Sequence, residues 1–198
     1  MESRPLPDRV IKYAAIPLNG RLYQGEVVSG LIHVRQSLHT IGEAEPPRLE
    51  EIVHPFSIVM TQDCDLESDF RSRTQQDKAV TGIVNILFCE AITTTELKGK
   101  LPQGKDIWKR VIQNKDERYH CLESVPIVDD FSAEGVPCLG CDFKRYFTVS
   151  ADEVYRRIEL GQMNRRCRLI TPYAEHFLIR FCNFQARVPL PENHDVPL

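Results

Sequence analysis

Asp63, Cys64 and Asp65 stand together just after an apolar run, Phe56 to Met60. A thiol between two carboxylates, with His54 at the start of the same stretch, is a set that could ligate a metal or supply a nucleophile. Nucleophilic sulfur needs a lowered thiol pKa. Two flanking carboxylates work the other way, because they disfavour the thiolate. The competing reading is a structural polar cluster. In it Cys64 points inward, and Asp63 and Asp65 cap turns or hold an arginine such as Arg145 or Arg168. Charge logic favours this second reading.

Cys138-Leu-Gly-Cys141 is half of a zinc knuckle, since a tight turn points both sulfurs one way. Cys121 and His120 would complete a Cys3His set around a structural zinc. The alternative is a loop with two half-buried thiols and no cofactor. On a helix, His176 and Arg180 would be neighbours at i, i+4 and could bind phosphate. The same pair also suits a solvated helix face. Arg156, Arg157, Arg165, Arg166 and Arg168 place five arginines within thirteen residues. A nucleic-acid face needs such a patch plus stacking aromatics, for which Tyr155 and Tyr173 are at hand. The other use of these arginines is pairing with acids, among them Asp63, Asp65, Asp129 and Asp130. No phosphate loop, dinucleotide fingerprint, zincin helix or nucleophile elbow is present.

Composition sets the frame for these groups. The 198 residues carry a formal net charge of −3, with 42% hydrophobic and 27% charged residues. That is ordinary for a soluble globular protein with room for a core. It gives no global attraction to nucleic acid, so any basic face must be local. No stretch approaches the ~18–20 apolar residues that span a bilayer. The N-terminal Met1 to Pro7 lacks a signal-peptide core, so a cytoplasmic protein without membrane contact is expected. Seven cysteines, an odd number, read as reduced thiols.

The elements that must position the groups follow from periodicity. Residues 1–9 read as a flexible lead. Glu26 to Arg35 reads as a strand, with a bulge or bend at Gly30. Phe56 to Met60 reads as a buried strand and Val80 to Ile92 as a central one. The latter ends in Thr93-Thr94-Thr95. Glu67 to Lys78 is polar and reads as an exposed loop or short helix. Lys105 to Lys115 fits a short amphipathic helix, with Ile107, Trp108, Val111 and Ile112 on one side. Arg118 to Leu122 and Phe143 to Val149 are further strands. Ser150-Ala-Asp-Glu153 is a capping box that opens a helix. Thr171-Pro172 reads as N-cap and first position of the last helix, whose stripe is Phe177, Phe181 and Phe184. The tail from Pro189 reads as frayed. Strands first and helices last give an α+β class with a small, strongly curved sheet or barrel.

Three stretches together resemble a known family. They are Gln24-Gly25-Glu26-Val27-Val28, Ser57-Ile58-Val59-Met60-Thr61 and Ile86-Leu87-Phe88-Cys89-Glu90-Ala91-Ile92-Thr93-Thr94. Over residues of about 20–150 the chain resembles the PemK/MazF group of toxin-type proteins, which have SH3-like barrels. The resemblance implies a barrel domain over 10–149 and a C-terminal helical extension over 150–190 packed on it. Active members resemble one another in an Arg before the second strand and a Thr ending the third. Thr93 or Thr94 matches the latter. The Arg position is filled here by Val53-His54-Pro55. The segment Pro172 to Pro191 also resembles the tail of a set of bacterial proteins that share Asp-Cys-Asp-Leu.

What the resemblance implies is contact with single-stranded RNA in a bacterial toxin–antitoxin or defence system, as a possible homodimer. If the chain is a metal-independent endoribonuclease, His54 is the acid or base and Thr93 or Thr94 holds phosphate. An Arg from the 165–168 run then stabilises the charge. The alternative is a non-catalytic interaction module that holds a protein partner in a multi-component bacterial system.

Overall fold

The computed structural model of the chain describes residues 12–17, 20–40, 42, 46, 48–74, 82–102, 105–126 and 135–187. The lead over residues 1–9, the acids Asp129 and Asp130, and the tail from Pro189 lie outside these residues. Among the described residues, seven strands form one antiparallel sheet. Its order is β1 (Tyr13–Ala14), β7 (Asn164–Leu169), β2 (Glu26–Gln36), β3 (Leu49–Val59), β4 (Asn85–Thr93), β6 (Leu139–Ser150) and β5 (Tyr119–Leu122). Five helices accompany it: α1 (Asp63–Thr74), α2 (Thr94–Lys100), α3 (Lys105–Ile112), α4 (Ala151–Glu159) and α5 (Tyr173–Gln185). No described helix is long and apolar enough to cross a membrane.

The sheet is not closed into a barrel by a strand ladder, so the expected closure is corrected. Its two ends nevertheless meet. The Tyr13 hydroxyl on β1 donates to the Glu123 carbonyl just after β5, at 2.9 Å. Lys12 Nζ lies 2.5 Å from the Glu123 carboxylate. The sheet therefore curls until side chains bridge a seam between its edge strands. The segment after Ser150 does more than pack on the sheet, because β7 lies inside it, between β1 and β2.

Each sheet face has its own core. One joins Val27, Ile58, Cys89, Leu139 and Phe143 to the α5 stripe of Phe177, Phe181 and Phe184. Those three phenylalanines recur at helical spacing and are buried, as the stripe predicts. The other joins Val28, Leu31, Val59 and Phe88 to Leu66 of α1 and Val154 of α4. Gly25 lets β7 and α5 close over the start of β2. Its φ is +75°, and a Cβ there would lie 3.0 Å from both Leu169 Cβ and Ala174 Cβ.

Two irregularities aim side chains. Val28 and Leu31 share a core although they are three residues apart, so the two-residue alternation breaks between them. Gly30, at φ +74°, sits at that break, and Pro55 is opposite it on β3. Gly30 is thus a bend, and the register of β2 with β3 runs through it without a slip. The bulge on β2 is instead between Val27 and Val28, against β7. Further along, Cys89 pairs Tyr146 and Ala91 pairs Cys141, so Asp142 to Arg145 stand against Glu90 alone. That bulge throws Arg145 across to Glu90.

Several local expectations change. Asp63 and Asp65 lie in a helix and not in turns; β3 stops at Val59 and α1 begins at Asp63. Of the loop or short helix expected from Glu67, the helix is found, starting earlier at Asp63, with Leu66 and Asp69 as its buried residues. Ser150 is the N-cap of α4 but makes no side-chain cap bond. Glu153 turns to Arg157 at 2.7 Å instead. The capping box is at α2, where the Glu96 amide donates to Thr93 Oγ1 and the Thr93 amide to the Glu96 carboxylate. In α5, Pro172 is the N-cap position, and Thr171 Oγ1 bonds Glu175 at 2.8 Å.

Candidate functional site

His54 is brought to the sheet face by the Gly30–Pro55 break. It is 5% exposed. Its ring stacks on Phe147 of β6 at 3.9 Å, with His33 of β2 5.3 Å from the same Phe147 ring. His54 Nδ1 lies 3.1 Å from Glu90 Oε2. Arg145 Nε reaches the other Glu90 oxygen at 2.7 Å. Burial raises the Glu90 carboxyl, but the bonds from His54 and Arg145 outweigh it and hold it at about 2. Glu90 is therefore a carboxylate that fixes the ring of His54. The other ring nitrogen, Nε2, is buried and has no hydrogen-bond partner among the described residues.

The trio His54, Thr93 and Thr94 is not assembled. Thr93 is spent as the α2 cap. Thr94 lines a cleft together with Tyr13 and Leu169 of the α5-side core. His54 instead stacks on Phe147, which packs on the α1/α4 core.

The Asp63–Asp65 cluster is structural, with a different arginine from those expected. Asp63 Oδ2 accepts from Arg21 at 2.6 Å, and Asp63 Oδ1 accepts from the Gln24 amide at 3.3 Å. Cys64 is exposed rather than turned inward, and Asp65 is exposed beside it. Both acids sit in the first turn of α1, where the helix dipole favours them.

His120, Cys121 and Cys138 line one cleft, but with Cys141 they are not arranged as a zinc site. Leu139 to Cys141 are strand, not turn. Residues three apart across a strand face opposite ways. Cys138 is accordingly exposed, while Cys141 is buried beside Cys89. Among the described residues, no group of three or more His, Cys, Asp or Glu side chains is placed to hold a metal ion.

The basic run is largely committed to the interior. Arg165 clamps Glu26, which is 0% exposed, through Nε at 2.5 Å and Nη2 at 2.9 Å. Burial pushes the Glu26 carboxyl up, and the Arg165 fork and the Tyr23 amide oppose that. Arg166 donates to the Gly135 carbonyl. Arg168 lies over the Tyr23 ring at 4.7 Å. Arg157 pairs with Glu153, and the exposed Arg156 with Glu159.

The seam between the sheet edges opens into a cleft of about 400 Å3. It collects residues from three separate sequence patterns: His120 and Cys121, Cys138, and Tyr173 with His176. Thr94 of α2 and Trp108 of α3 complete the wall. His120 Nδ1 is 3.0 Å from Arg180 Nη1, and Arg180 Nη2 also donates to the Tyr119 carbonyl at 3.1 Å. Burial, then the charges of Arg180 and His176, push His120 down to about 3. The Asn114 side chain bonds both backbone groups of Cys121, at 2.6 Å and 2.9 Å, and so covers the β5 edge. Around this cleft, Lys98 and Lys100 of α2, Lys109 and Arg110 of α3, and Lys115 are exposed. None of the five forms an ion pair with a described residue.

Sequence reasoning missed Glu90, Arg145 and Trp108 as site residues. Glu90 had a signal: a lone carboxylate inside an apolar strand must find a cation or a hydrogen-bond donor. Arg145 and Trp108 had none, because a multi-residue bulge and a seam bring them in. Compared with protein-family models, curated proteins and solved structures, the chain matches none.

Proposed function

We propose that this chain contacts single-stranded RNA in a PemK/MazF-like, SH3-like frame, and that it binds without cleaving. The observation that carries the reading is the seam cleft, with Trp108 and Tyr173 in its walls and exposed cations on the helices beside it, of which Lys98 lies over the Trp108 ring. Single strands are held by a positive track for phosphates and by aromatic rings for bases. From Thr94 to Glu117 the sequence has six basic residues against four acidic ones, in a chain of net charge −3. The positive track is thus local, on α2 and α3, rather than on the 156–168 run. The spent hydroxyl of Thr93 and the sealed Nε2 of His54 support binding without cleavage. The setting this reading implies is a bacterial toxin or defence system.

Fluorescence anisotropy with a labelled single-stranded RNA tests it. Affinity is expected to fall with salt, and Lys109→Ala with Arg110→Ala to flatten the log–log salt slope by about 1.4, at ~0.7 per lost phosphate contact. Arg165 is no fair control because it is structural; Arg156→Ala is expected to leave the slope unchanged. No binding at low salt, or a slope indifferent to the α3 charges, overturns the reading.

One observation favours a second reading, contact with a protein partner or a second copy. Among the described residues, β2 and β3 pair only with each other beyond Ser29 and Phe56. One face of that ribbon shows Val34, Leu49 and Val53, at 38%, 69% and 59% exposure. A two-stranded ribbon is marginal alone. Sedimentation of the wild type beside Val53→Arg distinguishes the two: a monomer unaffected by the change removes the self-association form.

A further inference from the structure

We infer that the seam cleft is a pocket for one unstacked nucleobase, and that the Nε2–H of a neutral His120 is its hydrogen-bond donor. This rests on the RNA reading above and specifies what enters the cleft.

The tautomer of His120 follows from its neighbour. A guanidinium only donates hydrogen bonds. Arg180 Nη1 lies 3.0 Å from His120 Nδ1, so that nitrogen must be the acceptor. The single ring proton is then on Nε2. His120 is 5% exposed and lines the cleft. Its Nε2 makes no hydrogen bond among the described residues. A donor in the cleft wall with no partner among the described residues is open to an acceptor from outside. With the ring held well below its ordinary value, the donor stays uncharged through the physiological range.

Shape and charge narrow the occupant. Tyr173 of α5 and Trp108 of α3 bring aromatic rings to the cleft, with Lys12 Nζ 5.8 Å from the first ring and Lys98 Nζ 5.8 Å from the second. Lys12 and Glu123, the charged residues of the lining, neutralise each other across 2.5 Å. Arg180 is turned away, to His120 and to the carbonyls of Asp116 and Tyr119. An anion therefore finds no free cation inside. A neutral planar ring with an acceptor edge fits, and all four bases offer such an edge. Phosphates are left for Lys98, Lys109 and Arg110 outside. At about 400 Å3 the cleft falls in the range of small-ligand pockets and has room for a nucleoside.

The test compares a short oligouridylate with an abasic ribose-phosphate strand of the same length, at fixed salt, on the full chain. The base-bearing strand is expected to bind about tenfold more tightly, the typical effect of one base stacked on an aromatic ring. Trp108→Ala and Tyr173→Ala are each expected to remove most of that gap and to leave the salt slope unchanged. In parallel, uridine alone is titrated while the His120 Nε2–H resonance is followed by nitrogen-15 NMR, which needs no variant. Equal affinities for the two strands would overturn the base pocket and leave the RNA reading intact. Failure of both strands to bind would overturn the RNA reading. The uridine titration then decides the pocket by itself: a shifted His120 resonance keeps it, and an unmoved one overturns it.

Discussion

The Tyr13 hydroxyl donates to the Glu123 carbonyl across 2.9 Å, joining the two strands that lie at opposite ends of the sheet. A sheet with two free edges invites pairing with other chains. Here the ends face each other, and side chains rather than a ladder hold them. Burial raises the Tyr13 hydroxyl above its ordinary value, so it stays a donor throughout the working pH range. Tyr13→Phe keeps the ring in the core and removes only the bond, and should cost about 1 kcal/mol in urea unfolding. Lys12→Ala breaks a half-exposed ion pair and should cost less, ~0–1 kcal/mol. If Tyr13→Phe left the unfolding midpoint unchanged, the seam would not depend on this hydrogen bond.

Glu26 and Arg165 make the second prediction. The carboxylate is 0% exposed and the guanidinium 12%. Removing one partner of such a pair leaves a charge stranded in the core, at a cost of roughly 3–5 kcal/mol. Glu26→Ala should therefore bring the chain close to unfolding. Replacing both by apolar residues of similar volume should recover much of the loss. Paired thermal melts of the single and double variants check this. A double variant no better than the single would mean that the pair also fixes the Val27–Val28 bulge between β2 and β7.

How much of this was readable in advance differs by element. The strands around Val27, Ile58, Phe88 and Phe147 were legible, because buried strands are short apolar runs with turn residues between them. The α5 stripe was legible for the same reason. Helix α1 was legible only as one of two options for residues 67–78, since a helix whose buried residues are Leu66 and Asp69 shows no apolar period. The Thr93-x-x-Glu96 capping box has a clear local signature. It was missed because Thr93 also read as the end of a strand, which it is. The site was legible only in pieces. His120, Cys138 and His176 were each singled out, yet nothing local says that they share a cleft. That depends on β5 and β1 meeting, a contact between residues 110 positions apart. Arginine partners were the least legible: Asp63 takes Arg21, and Glu90 takes Arg145, through folds and bulges that no spacing encodes.

Glu90 sets a pH window. Its carboxyl is held at about 2, against an ordinary 4.5. In the unfolded chain it takes up a proton near 4.5, while in the folded chain it does not until about 2. The folded state binds fewer protons in between, so stability falls as pH drops through that interval. The contribution is fully present above pH ~4.5 and gone below ~2. Glu90→Gln should be less stable than the wild type at neutral pH, and the gap between them should close on acidification through this window. Urea midpoints at several pH values read it directly. A gap that persists at pH 2 would mean that Glu90 acts through packing and not through charge.

His120 gives the opposite kind of group and the same direction of dependence. Its ordinary value is 6.5, and the fold holds it at about 3. The unfolded chain binds this proton from pH ~6.5 downward, and the folded chain refuses it until about 3. Stability is therefore complete above pH ~6.5 and declines as pH falls toward 3. Two of the three causes are separable. Arg180→Met removes the neighbouring charge and frees Nδ1, but leaves His120 buried against Phe177, whose ring lies 4.9 Å away. The wild-type ring should show no titration by NMR between pH 8 and 4. In Arg180→Met the ring should titrate at a higher pH than in the wild type, still below 6.5 because burial remains. The variant also leaves the Asp116 and Tyr119 carbonyls without their donor, so a loss of about 1–3 kcal/mol is expected. That loss does not explain a moved titration. A ring that titrates normally in the wild type would remove both the assigned tautomer and the neutral donor that the cleft depends on.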